Sequence, residues 1–369
     1  MVKKEGVENI EEIKNSDSGH LKNYALILLL VFSLSLGILG GVYLIDDFYK
    51  GIGLREEIVV CGDGTSYGNC SVNKPYYCYN GFLIEKASTC DCEENMIKEG
   101  DLCTFEYQVN PKKVNLTYIL RGEEEILDFI VYEGMKNYTS ALSKFINYQN
   151  GEKITRKDFK LKNLNEEKQR QFLLPLVITI QNLAVNKDDQ LRIAVSLVQN
   201  IPFGSSGKTL SFGKSQEIDY SRYPYEVLYD VEGVCGEKAD LLVFLLKELG
   251  YESVYFYYPL ENHEAVGVKC SAEYSLMETG YCFIETTGPS IITDNEITYS
   301  SGEKLFLEPE IIFISEGDSM SDFFYEYPDA QSWKSLRRNI EKKGKISWYL
   351  LPRFKRLENK YGLVGVYPL

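Results

Sequence analysis

Residues 25–45, ALILLLVFSLSLGILGGVYLI, run for 21 positions without a charge. A helix of that length covers roughly 30 Å, one bilayer hydrocarbon core. A cleaved signal peptide is the alternative. Against it, the run is longer than the apolar core of such a peptide, and residues 1–24 precede it. No small-x-small cleavage pattern follows before Asp46 and Asp47. The pattern predicts a charged tail over 1–24, a membrane-spanning helix over 25–45, and a connector to residue 58.

Past the span the pattern changes several times. Residues 113–133 alternate apolar and polar positions in NLTYIL and ILDFIVY, as strands do. From Asn165 to about Leu183 the spacing turns helical, with Leu173, Leu174, Leu176, Val177 and Ile180 on one broad face. A second helix, DDQLRIAVSLVQN, is expected to be capped by Asp188 or Asp189 and to stop before Pro202. In GVCGEKADLLVFLLKELGY, residues 233–251, Cys235 opens a helix that is apolar all round from Leu241 to Leu246. Such a helix belongs inside a core. Gly250 ends it as a left-handed cap would. SVYFYY (253–258), HEAVGVKC (263–270) and YCFIETT (281–287) then read as strands. A helix followed by antiparallel strands predicts an α+β fold. Gln331 to Lys360 reads as basic helix interrupted at Pro352.

Composition narrows the classes. A chain of 369 residues suggests two or three units, and 44% apolar with 25% charged residues is ordinary for globular protein. The net charge of -14 argues against nucleic acid as a partner, since phosphate binding needs a basic surface. Lys3, Lys4, Lys14 and Lys22 precede the span, whereas Lys50 and Arg55 are the near cations after it. Positive-inside bias places the N-terminus in the cytoplasm and the rest outside. The sequons at Asn69, Asn115 and Asn137, candidates for glycosylation, all fall on the outer side.

Nine cysteines sharpen this. Six crowd into residues 61–103: Cys61, Cys70, Cys78, Cys90, Cys92 and Cys103. Cys270 and Cys282 flank a short loop, and Cys235 is left over. The arithmetic predicts three bridges, one bridge and a free thiol, in an oxidising compartment. A zinc reading of the six is weak, because none forms a C-x2-C pair. No calcium loop of the D-x-D-x-D-G type occurs, and neither metal nor cofactor is expected. The predicted organisation is a cysteine-rich module at 59–105, a strand-rich connector at 106–160, the main domain at 161–300, and an extension with basic helices at 301–369.

A lone cysteine is usually buried and inert. Cys235 differs by its position at a helix start, where backbone N–H groups favour a thiolate. Of the two histidines, His20 is in the tail, so His263 is the one imidazole on the outer side. Glu285, in FIETT on the next strand, can orient that imidazole. Were Cys235 to attack a carbonyl, the oxyanion would need a donor besides the Cys235 N–H, and no tryptophan precedes Cys235 to supply it. Gln199 in SLVQN is the candidate. A direct Cys270–Cys282 pair across a regular ladder would set His263 opposite Pro289, so a bulge or a diagonal cysteine pair is required.

In order and content, GVCGEKADLLVFLLKELGY, NHEAVGV and FIETTGP resemble the transglutaminase-like superfamily of papain-related folds. The match covers roughly residues 185–290, and with SLVQNIPF it is similar to archaeal members. The cysteine-rich run from Cys61 also resembles a small module of archaeal surface proteins. The resemblance implies a nucleophile helix packed on an antiparallel sheet. It further implies acyl-transfer chemistry on a protein or peptide substrate at the cell surface, with Cys235 as nucleophile, His263 as proton shuttle and Glu285 as orienting acid. The family's acid is usually aspartate; here it is Glu285. Hydrolysis is favoured over transamidation. A non-catalytic surface module on the same fold is the competing reading.

Overall fold

The computed structural model describes residues 60–142, 155–205, 210–212, 216–218, 222–296, 305 and 307–363. The expected tail and span fall outside the described residues. Among those described, no helix is long and apolar enough to cross a membrane.

The cysteine-rich segment forms two hairpins, β1 (Tyr76–Tyr79) with β2 (Phe82–Glu85) and β3 (Ile97–Glu99) with β4 (Leu102–Thr104), around the single turn α1 (Ala87–Cys90). The β1–β2 turn is Asn80-Gly81, with φ of 49° and 83°, the pair a two-residue hairpin loop demands. Three disulfides, Cys61–Cys78, Cys70–Cys90 and Cys92–Cys103, cross-link this segment.

A longer hairpin follows, β5 (Pro111–Leu120) with β6 (Glu123–Tyr132), and then α2 (Glu133–Ala141), α3 (Arg156–Leu164), α4 (Glu167–Leu183) and α5 (Lys187–Gln199). The connector expected at 106–160 is thus strand-rich only to Tyr132. The cap of α5 is Asn186, whose side chain accepts the Asp188 N–H, rather than either aspartate. The aspartates sit in the first turn, where their charge suits the helix dipole. A short hairpin, β7 (Leu210–Phe212) with β8 (Gln216–Ile218), and α6 (Pro224–Asp230) lead to α7 (Cys235–Glu248).

Helix α7 is buried continuously from Gly236 to Leu246. Each large apolar side chain it covers contributes about 1.5–3 kcal/mol. Its end has two nested bonds, Gly250 N–H to Lys247 O and Tyr251 N–H to Leu246 O, with Gly250 at φ 90°. That is a Schellman cap.

The strands β9 (Ser253–Tyr258), β10 (His263–Lys269), β11 (Tyr281–Ile284) and β12 (Glu310–Ser315) form one antiparallel sheet in the order β11-β10-β9-β12. Strand β12 lies beyond residue 300, inside the expected extension, yet completes the sheet. Two helices close the described chain, α8 (Tyr327–Lys343) and α9 (Leu351–Tyr361), with Pro352 in the first turn of α9. The result is an α+β architecture.

The segments do not pack as separate bodies. Residues Val59–Leu369 cluster as one compact unit. One core holds Cys61, Tyr76 and Leu83 together with Val114, Phe172, Leu242 and Val266. Phe172 of α4 sets its ring against Phe105, Tyr132 and Tyr225 at 5.2–5.8 Å between centroids. The asparagines of all three sequons are exposed.

Candidate active site

The turn into α7 is fixed by backbone. Gly204 N–H donates to Gly233 O at 3.2 Å, and Gly233 N–H to Pro202 O at 3.3 Å. Glu237 accepts the Val234 N–H at 3.1 Å and is held by Arg222. Cys235 therefore sits on the first turn of a rigid helix. The N–H groups of that turn have no intrahelical acceptor. Its thiol is half-buried and unbridged, while the other eight cysteines are paired.

His263 opens β10 opposite Tyr258 of β9. Its Nε2 lies 3.0 Å from Glu285 Oε2, and its side chain also hydrogen-bonds that of Cys235. With Nε2 on the carboxylate, Nδ1 is left for the thiol. Burial disfavours the imidazolium, but the Glu285 carboxylate and both hydrogen bonds outweigh it and push His263 up to about 10.

Register resolves the apparent conflict between disulfide and triad. Val268 pairs with Cys282 and Val266 with Ile284, so Cys270 bridges to Cys282 diagonally, with Cα atoms 5.8 Å apart. The Cys270 N–H donates instead to Gly280 O. Continuing this register sets Glu285 opposite Ala265, on the same face of the sheet as His263. Glu285 leaves the ladder just after β11, and its Oε1 accepts from Thr286 N–H, Thr287 N–H and Thr287 Oγ1 at 2.7–2.9 Å. The extra methylene lets the carboxylate turn back to those amides while Oε2 reaches the imidazole.

Gln199 stands beside this group in another role. Its Nε2 donates to Glu285 O at 2.9 Å and to Ser290 Oγ at 3.0 Å. Both amide hydrogens are engaged, so Gln199 holds the backbone that carries the acid. To serve an oxyanion it must release one of them.

Sequence reasoning missed Lys238, one turn below Cys235. It is fully buried, and Nζ donates to Ile201 O at 2.5 Å, Thr287 O at 3.2 Å and Gln199 O at 3.3 Å. The ammonium gathers the end of α5 and the Glu285–Thr287 turn against α7. Burial pulls it down to about 8, opposed by the Glu285 and Cys235 charges. The signal available in sequence was a cation one turn ahead of the all-round apolar run Leu241–Leu246, in a helix that this run marks as buried. On the far side, Lys160 joins Asp240 of α7 to Glu264 of β10, at 2.6 Å each. Among the described residues no His, Cys, Asp and Glu side chains converge as a metal-binding group.

No protein-family model matches the chain, and no curated protein matches it. The functional reading rests on the site's own chemistry.

Proposed function

We propose that this protein is a membrane-anchored, extracytoplasmic thiol enzyme of transglutaminase-like type, acting on amide or peptide bonds through Cys235, His263 and Glu285. The observation that carries this reading is the hydrogen-bonded line from Glu285 through His263 to Cys235 at the head of a buried helix. Four disulfides among the described residues support an oxidising compartment.

At neutral pH the imidazole holds its proton, and the nucleophile is the thiolate form of the sulfur beside it. The thiolate attacks the substrate carbonyl, and the oxyanion that forms meets the Cys235 N–H. His263 passes its proton to the departing amine as the C–N bond breaks, leaving a thioester on Cys235. A water then gives a proton to His263 and attacks the thioester. The acid departs, and the proton on His263 restores the starting pair. Glu285 keeps the ring in one tautomer and one orientation throughout. Hydrolysis is favoured over amine transfer because water is always at hand.

The test is mass spectrometry of the chain incubated with peptides and peptide amides, with and without a fluorescent primary amine. New carboxyl groups read hydrolysis, and fluorescent product reads transamidation. A Cys235 that neither turns over nor acylates, and reacts with iodoacetamide only as an ordinary thiol, would leave the fold as a binding module.

A further inference from the structure

The chain is acidic overall, yet residues 342–356, KKGKISWYLLPRFKR, hold six cations and no Asp or Glu. Lys342, Lys343, Lys345, Arg353, Lys355 and Arg356 are all exposed. Lys342, Lys343 and Lys345 border the loop between α8 and α9, while Arg353 and Arg356 reach back along α8 to Ser332 and Asp329. In the loop, Trp348 is 85% and Tyr349 58% exposed. An indole left that open contributes no burial to this fold. The loop is nevertheless pinned: Ile346 and Leu350 turn inward onto the small core of Trp333, Leu336, Phe354 and Leu357. The two outward rings stand edge to face, with centroids 6.1 Å apart. The fold thus presents a fixed aromatic pair inside a basic rim.

We propose that this loop docks on an anionic lipid surface, with Trp348 and Tyr349 entering the headgroup layer and Lys342, Lys343 and Lys345 facing lipid phosphates. Three features of the site favour a bilayer over other polyanions. Trp and Tyr are the side chains that settle at a membrane–water interface, apolar ring inward and polar edge to water. Lys and Arg beside them each add roughly a factor of five in attraction to an anionic leaflet. A nucleic acid would also meet the rest of a surface whose net charge is -14. The site is distinct from the thiol centre and does not rest on the catalytic reading.

Trp348 reports on this directly, because the other tryptophan, Trp333, is buried against Phe354 and serves as a constant background. Purified full-length protein is mixed with phosphatidylcholine vesicles, without or with phosphatidylglycerol, and with brominated lipid as a quencher. With phosphatidylglycerol, Trp348 emission should shift to shorter wavelength and be quenched. High salt, or joint replacement Lys342→Gln, Lys343→Gln and Lys345→Gln, should return it to the solvent-exposed position. These side chains are exposed, so the variant should keep its melt. Emission that stays solvent-like in both vesicle types overturns the proposal. An equal shift in both overturns the anionic-lipid assignment. The same shift with heparin and no vesicles would reassign the loop to a soluble polyanion.

Discussion

Lys160 Nζ lies 2.6 Å from Oε2 of Glu264, the residue that follows His263. The same ammonium is 2.6 Å from Asp240 of α7, which also accepts from Tyr255 Oη at 2.9 Å and Asn163 Nδ2 at 3.2 Å. One buried cation ties the helix that carries Cys235 to the strand that carries His263. Burial alone would raise Glu264, but Lys160 and Arg156 hold it below the usual carboxylate range. Lys160→Met leaves two buried carboxylates short of a partner and should cost about 3–5 kcal/mol. Chemical denaturation checks it; a loss under 1 kcal/mol would mean that the cluster behaves like a surface pair.

The triad predicts coupled reactivity. His263→Ala should slow neutral-pH alkylation of Cys235 by roughly ten- to a hundredfold, because the thiolate loses its cation. Glu285→Gln should slow it less, and the double variant should match His263→Ala, since members of one chain are not additive. Equal rates in all four proteins would sink the catalytic reading.

The raised value of His263 has a consequence for stability. Its ordinary value is 6.5 and the folded value about 10, so the folded chain holds this proton more tightly. The His263–Glu285 pair then adds stability that is full below pH 6.5 and is lost as pH rises through about 10. The melting difference between the native protein and His263→Ala should shrink over that range. A difference that stays flat with pH contradicts the pairing.

Lys238→Met removes a buried positive charge that faces Cys235 and Glu285. Alkylation of Cys235 at neutral pH should slow by about tenfold, because the reacting thiolate loses a neighbouring cation. Lys238→Gln, which can still donate to the carbonyls, should fold better than the Met variant and show the same slowing. Retained reactivity in a folded Gln variant would leave Lys238 with a packing role alone.

Non-reducing peptide mapping should recover Cys61–Cys78, Cys70–Cys90, Cys92–Cys103 and Cys270–Cys282, with Cys235 alone taking iodoacetamide. Cys235 found in any bridge removes it as a nucleophile in that form.

What could be read from residues alone was local. The start of α7 follows from a glycine turn before an apolar run, and β9, β10 and β11 from β-branched and aromatic runs of strand length. Strand β12 was hidden because EIIFIS finds its partner about fifty residues upstream in β9, and nothing local specifies that pairing. Lys160 and Lys238 were hidden for a different reason. A lysine reads as surface, and only the arrangement of carboxylates and carbonyls from distant segments makes its burial tolerable. Gln199 was seen, but its hydrogen bond to the Glu285 carbonyl depends on how α5 meets the end of β11.

The cysteine-rich hairpins are stitched to α4 and α5 by amide side chains that reach backbone. Asn182 accepts from Leu83 N–H at 2.7 Å and donates to Leu83 O at 3.0 Å, and Gln190 donates to Gly62 O at 2.7 Å. At Gly62 an added Cβ would fall 2.0 Å from the Gln181 carbonyl oxygen, so the two chains meet backbone to backbone. A seam this close does not tolerate exchange of one side alone. The hairpins and the α4–α5 pair are fitted to one another, and a shortened chain beginning at Phe105 would bare the apolar flank of α4 and invite aggregation.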